Sequence, residues 1–197
     1  MAIVRETGTQ VAGYGTATTS VLCTKPTDTV SGDVLVAFLS LNNNPTVTAP
    51  TGWVLVARNV TGGFTGEMYY KVAGGSEPAN YTWTMNFAVT GGILLARYSG
   101  VDEATPSDVA ASTNAGTGTT ATATGITTVT DGAILIAGIA SDTTTAPSLP
   151  AGMSNVGTNT TGKALRVADE TRATAGATGN RTSTTESNNW SAILWAL

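Results

Sequence analysis

The sequence has no histidine and only one cysteine, Cys23. Without histidine the chain lacks the commonest general base and metal ligand, so Ser-His-Asp triads and ordinary zinc sites are excluded. A single cysteine cannot form an internal disulfide, and its apolar neighbours Val21 and Leu22 predict a small buried residue. We therefore expect no catalytic residue, no cofactor and no metal site.

Charged residues are also scarce, at 11% of the 197 residues against ~25% in typical soluble domains. The formal net charge is −4, and the few lysines and arginines form no cluster that could neutralise phosphates. These values exclude direct binding of nucleic acid through its backbone. The surface must instead consist largely of hydroxyl and amide groups, and a composition rich in threonine favours β-structure.

Long apolar runs are absent. No stretch approaches the ~18 apolar residues of a membrane-spanning helix, so we expect no membrane association. The segment Met1–Glu6 lacks the basic region and apolar run of a secretion signal. We expect a chain without leader or anchor.

The apolar residues that are present alternate with polar ones or form short runs bounded by Gly, Pro, Asn and Asp. This pattern is typical of strands and turns, and no useful helical periodicity accompanies it. The predicted fold class is all-β, an antiparallel jelly-roll-like β-sandwich of about a dozen short strands in one domain, residues 1–197. The predicted strands are Thr18–Cys23, Asp33–Leu41, Trp53–Val60, Gly66–Ala73, Tyr81–Met85, Gly92–Tyr98, Thr119–Val129, Ala133–Ala140, Met153–Thr158, Lys163–Asp169, Arg181–Thr185 and Trp190–Ala196.

Similar segments recur about one hundred residues apart along the chain. They predict an internal pseudo-repeat with halves 18–102 and 119–197, which could form one sandwich or two small packed sandwiches. We favour one domain. The matched segments are Gly32–Ala37 with Asp131–Ile136, Pro50–Trp53 with Pro150–Met153, Thr65–Ala73 with Thr161–Ala168, and Gly92–Ala96 with Ala192–Ala196.

Few residues suggest chemistry. The carboxylates are scattered over predicted turns without a recognisable catalytic pair, so we expect no enzymatic activity. The segment Val101–Asp108 could offer oxygens to calcium, but its spacing matches no known calcium loop and solvated turn carboxylates explain it better. Tyr81 and Trp83 share one face of a strand, where they could stack against sugar rings or fill the core; we favour the core.

The chain resembles the jelly-roll β-sandwich modules of tailed-phage virion proteins, including capsid decoration proteins, and related modules in secreted bacterial proteins. The resemblance covers most of the chain, but the second half lacks the tryptophan after its Pro-Gly turn and the paired tyrosines. It rests on turn and packing motifs, which imply a fold more strongly than a function. The motifs are Gly32-Asp33, Pro50-Thr51-Gly52-Trp53, Tyr69-Tyr70-Lys71, Gly75-Ser76-Glu77-Pro78, Tyr81-Thr82-Trp83 and Tyr98-Ser99-Gly100-Val101-Asp102.

The resemblance implies a non-enzymatic structural protein, located in the virion, that decorates or stabilises a phage capsid. Its partners would be the major capsid protein or another virion protein, together with further copies of itself, and weak contacts would add up on a lattice. Ile3 and Val4 are candidate interface residues, although their segment could equally pair within its own sheet. The alternative is a carbohydrate-binding or adhesion module of a virion or cell surface, extracellular in location, using Tyr81 and Trp83.

Overall fold

A computed structural model describes residues 2–197 and shows fourteen strands with no helix in that range. None of the described segments is therefore a helix with the length and apolarity needed to cross a bilayer. The strands are β1 (Val4–Arg5), β2 (Gln10–Thr24), β3 (Val34–Asn42), β4 (Val47–Thr48), β5 (Val54–Thr61), β6 (Phe64–Val72), β7 (Asn80–Ser99), β8 (Val109–Ala123), β9 (Thr127–Thr128), β10 (Ala133–Ser141), β11 (Ser154–Asn159), β12 (Ala164–Arg172), β13 (Gly176–Ala177) and β14 (Arg181–Ala196).

These strands form two main antiparallel sheets, one from each half of the chain. The first sheet has the order β5-β6-β3-β7, with β1, β2 and β4 also pairing with β7. The second has the order β11-β12-β10-β14-β8, and β9 pairs with β13 separately. The all-β prediction is confirmed.

The two sheets repeat the same arrangement. The strand order β5-β6-β3-β7-β2 of the first sheet corresponds, strand by strand, to the order β11-β12-β10-β14-β8 of the second. Even the β-bulge on the edge strand recurs, between Leu55 and Ala57 and again between Asn155 and Gly157. A jelly roll winds its strands between two sheets through Greek keys. Here each sheet comes from one continuous half, so the jelly-roll connectivity is not confirmed.

Three apolar clusters hold the layers together. The shared core lies between the sheets and contains Phe38, Met68, Ile136 and Trp195. Each sheet also has an outer core, because its two longest strands bend and cover its other face. In the first half this outer core joins β3 to the far ends of β2 and β7. In the second half it joins β10 to the far end of β8, at Ala121 and Ala123, and to the part of β14 from Trp190 to Ala196.

The strand predictions differ from the structure mainly where strands are long. The predicted strands Tyr81–Met85 and Gly92–Tyr98 are two parts of β7, and the last two predicted strands are two parts of β14. The residues between the parts resemble turns because the pairing register shifts there and the strand bends. The low-complexity residues 113–124 lie mostly in β8, which starts at Val109.

The repeat alignment needs three corrections. The first concerns β3 and β10, which are offset by 100 residues and not 99, because Val36 and Ile136 both face the shared core. The Pro-Gly turns agree: the Trp53 amide donates to the Pro50 carbonyl at 3.2 Å, and Met153 donates to Pro150 at 3.3 Å. For the closing strands, however, Leu94 and Ile193 both face the shared core, so the offset there is 99 residues. The same offset applies to β6 and β12. Val36 on β3 pairs with Tyr70, its counterpart Ile136 on β10 pairs with Asp169, and Tyr70 and Asp169 are 99 residues apart.

Polar contacts also cross between the sheets. Arg5 in β1 donates to Asp169 Oδ1 and to the Asn155 carbonyl, each at 3.0 Å, and Tyr98 donates to Asp169 Oδ2 at 3.2 Å. The Ser40 hydroxyl donates to the Ala164 carbonyl at 3.2 Å. These bonds fix the position of one sheet on the other.

Candidate functional site

The two aromatic residues considered for carbohydrate binding are buried. Tyr81 is 2% exposed and Trp83 is fully buried in the outer core of the first half. Their rings pack on Trp53, with centroid distances of 5.1 Å and 5.0 Å. A sugar ring stacks on an exposed aromatic face, whereas these two rings fill the core, the placement that the sequence analysis favoured.

The N-terminal candidates lie within the protein's own sheet. Val4 pairs with Ser99 on β7, and Ile3 packs against the shared core. The side chain of Val4 remains 47% exposed. Arg5, next in the strand, reaches the other sheet, so the segment joins the two halves and is not a free arm.

Sequence analysis missed a buried carboxylate, Glu67, which is 1% exposed. It accepts hydrogen bonds from Tyr69 and from Arg58, and Arg58 also donates to the Pro45 carbonyl at 2.9 Å. Burial raises the pKa of Glu67, although Tyr69 and Arg58 oppose the rise. The cluster fixes the loop between β3 and β4, and a substrate would have no access to so deeply buried a carboxylate.

Glu67 gives the protein a measurable pH dependence. Because its pKa is raised above the ordinary 4.5, the folded protein holds this proton more tightly than the unfolded chain. The resulting stability is complete below pH 4.5 and is lost as the pH rises through the folded pKa. We expect Glu67→Gln to flatten this decline in the unfolding free energy, measured by urea titration at several pH values.

The matched control is Glu186→Gln, which removes a carboxylate from an exposed position. The control should keep the decline seen in the unchanged protein. An equally steep decline in Glu67→Gln would contradict the assignment to Glu67.

A surface cleft of about 890 Å³ lies at one end of the sandwich. It lies where β3 and β10 begin and where β7 and β14 end, so both sheets contribute to it. The connector 99–108, which joins the two halves, forms one wall. The turns before β3 and β10 form further walls, and Ala2, Ile3, Thr171 and Leu197 complete the lining.

The turn before β3 is held by hydrogen bonds to its acidic residue. Asp33 Oδ2 accepts the Val30 amide at 3.0 Å and Arg97 Nη1 at 2.7 Å. Gly32 has a φ of +91°, a conformation that favours glycine. In the corresponding turn of the second half, Asp131 Oδ1 accepts the Ala175 amide at 2.7 Å.

The connector carries three further carboxylates. Asp102 accepts the Thr105 hydroxyl at 2.8 Å and the Ala104 amide at 2.9 Å, and these bonds lower its pKa. Asp108 Oδ2 accepts the Val129 amide at 2.9 Å, and Glu103 is exposed beside Gly32. Among residues 2–197, no three His, Cys, Asp or Glu side chains are grouped so that they could hold a metal ion.

The cleft carries negative charge that no basic side chain in its described lining neutralises. Most carboxylates of the chain form ion pairs, from Arg5–Asp169 to Arg181–Glu170. Four carboxylates that form no ion pair lie together in the lining of the cleft. They are Asp102, Glu103, Asp108 and Asp131. No lysine or arginine among residues 2–197 lines the cleft.

Two exposed valines stand beside the cleft. Val30 is 60% exposed and Val129 is 69% exposed, the highest values among the exposed large apolar residues of the described chain. Val30 precedes β3 and Val129 precedes β10. Sequence analysis gave no reason to select the valines, because their exposure depends on the folded turns.

The fold and this cleft define an all-β protein of two packed antiparallel sheets with an acidic recess at one end. No protein-family model, curated protein or solved structure matches the chain.

Proposed function

We propose that the protein is a non-enzymatic structural component of a virion that decorates or stabilises a phage capsid by binding its shell protein. The observation that carries this proposal is the cleft with its two exposed valines. Exposed apolar side chains beside a polar recess are typical of surfaces that contact other proteins.

The chemistry of the cleft favours binding over catalysis. Its lining contains no histidine, cysteine or lysine, the usual bases and activated nucleophiles. The carboxylates of Asp102, Asp108 and Asp131 are each held by amides of nearby turns. Moreover, the lowered pKa of Asp102 is opposite to what a general acid requires.

The rigid attachment of the two halves also suits a structural role. The shared core and the Arg5–Asp169 ion pair make the cleft a fixed shape to which both sheets contribute. Preformed surfaces bind with a smaller loss of conformational entropy than flexible ones. On a capsid, many such contacts by neighbouring copies would reinforce one another.

The carbohydrate-binding alternative, with its cell-surface or extracellular location, has less support. It relied on Tyr81 and Trp83, and both rings are buried. A glycan would therefore have to be held without the two rings on which this alternative depended.

The test is density-gradient sedimentation of particles from the source culture, with mass spectrometry counting this chain against the major shell protein. We expect co-sedimentation at a fixed, high ratio to the shell protein. A few copies per particle would move the protein to a tail or fibre. Complete absence from particles would overturn the virion proposal.

A further inference from the structure

We propose that the cleft binds a basic segment of the partner protein, in which lysine or arginine residues stand beside apolar ones. This inference rests on the proposed function in one respect, namely that the ligand is a protein. It adds the chemistry of the segment and the place where it binds.

The first argument is charge complementarity. Asp102, Glu103, Asp108 and Asp131 form no ion pair, and the described lining has no basic side chain to offset them. Asp33 lies deeper and is already neutralised by Arg97. An approaching cation would therefore meet negative potential from several sides, which accelerates association and selects the sign of the ligand.

The second argument comes from the apolar part of the same lining. Ile3, Val101 and Leu197 belong to or pack against the shared core, and they also line the cleft. Lysine and arginine have apolar stems that cover such surface while the charged group remains with polar partners. The combination of apolar surface and free carboxylates suits these side chains better than it suits a bare metal ion.

The third argument is the pair of valines. Single exposed apolar residues are ordinary, but Val30 lines the cleft, and Val129 adjoins Thr130, which also lines it. A segment seated in the cleft could cover both with apolar residues on either side of its basic one. By contrast, nucleic acids and acidic glycans would be repelled by the carboxylates.

The test uses the full chain and three labelled extended peptides of equal length, made of alternating Lys and Val, Lys and Ser, or Glu and Val. Fluorescence anisotropy measures the dissociation constant of each. We expect the Lys-Val peptide to bind most tightly, with affinity falling as salt rises, and no binding of the Glu-Val peptide. Failure of the Lys-Val peptide to bind, or binding indifferent to its charge, would overturn the proposal.

Two double variants test whether the peptide binds in the cleft. We expect D102N/E103Q to weaken binding of the Lys-Val peptide about 2- to 30-fold. The control D28N/E186Q removes the same net charge at the two unpaired carboxylates outside the cleft and should leave affinity unchanged. Equal weakening by both pairs would mean that only the overall charge matters, and would overturn the site.

A second double variant with its own control tests the role of the two valines. We expect V30T/V129T to weaken binding of the Lys-Val peptide about 3- to 10-fold while leaving the Lys-Ser peptide unaffected. The control is V54T/V60T, at exposed positions on β5. No difference between these pairs would contradict the role of the valines. Peptide binding without particle association would retain this inference and reject the virion proposal, and the reverse pattern would reject only the inference.

Discussion

Replacing Arg97 with methionine is expected to lower the unfolding free energy by about 3–5 kcal/mol. Arg97 Nη1 lies 2.7 Å from Asp33 Oδ2, and the two side chains are only 9% and 2% exposed. The variant leaves Asp33 buried beside the Val30 amide without a cation, and desolvation of a lone carboxylate is costly. Urea unfolding at neutral pH measures the change.

The control is Arg172→Met, the same substitution at a more exposed site. Glu170, the partner of Arg172, retains Arg181 at a second ion pair. We expect a loss of at most about 1 kcal/mol there. In addition, Asp33→Asn should recover part of the loss in the Arg97→Met background. Equal losses for the two arginine variants would contradict the importance of burial.

The second large effect is expected at the centre of the shared core. Phe38 is fully buried, and its ring occupies the space above Gly138 on the opposite sheet. Phe38→Ala removes most of this ring and leaves a cavity, which should cost about 3–5 kcal/mol. Phe87→Ala is the control, because Phe87 is 39% exposed and its loss should be small.

Gly138 provides a sharper form of the same test. A Cβ atom at this position would lie 2.5 Å from Phe38 Cδ2 and 2.9 Å from Met68 Cε. We therefore expect Gly138→Ala alone to destabilise the protein by about 1–3 kcal/mol. In the Phe38→Ala background the same change should cost little, since the clashing ring is gone. Additive losses in this double-mutant cycle would show that the two positions do not touch.

The cleft follows from the way the halves are joined. Its walls come from turns about one hundred residues apart and from the connector between the sheets. Similar turns precede β3 and β10, and the shared core brings them to the same end of the molecule. The acidic residues of the connector then complete a recess that neither half could form alone.

The sequence by itself determined the all-β class and several local elements. The apolar runs of β3 and β10 predicted strands, and both strands are almost wholly buried. The Pro-Gly turns at Pro50 and Pro150 were identifiable because their turn chemistry is local. Such features depend on residue type and spacing, which can be seen without knowledge of distant contacts.

Only the tertiary structure decided the rest. Local pattern could not choose between the two faces of the strand bearing Tyr81 and Trp83, because the bend of β7 over its own sheet determines which face is covered. Local pattern likewise could not fix the 99-residue offset between β7 and β14. That offset depends on which of their residues face the shared core. The acidic cleft was also invisible in the sequence, because Val30, Asp102 and Asp131 meet only when the two sheets are packed together.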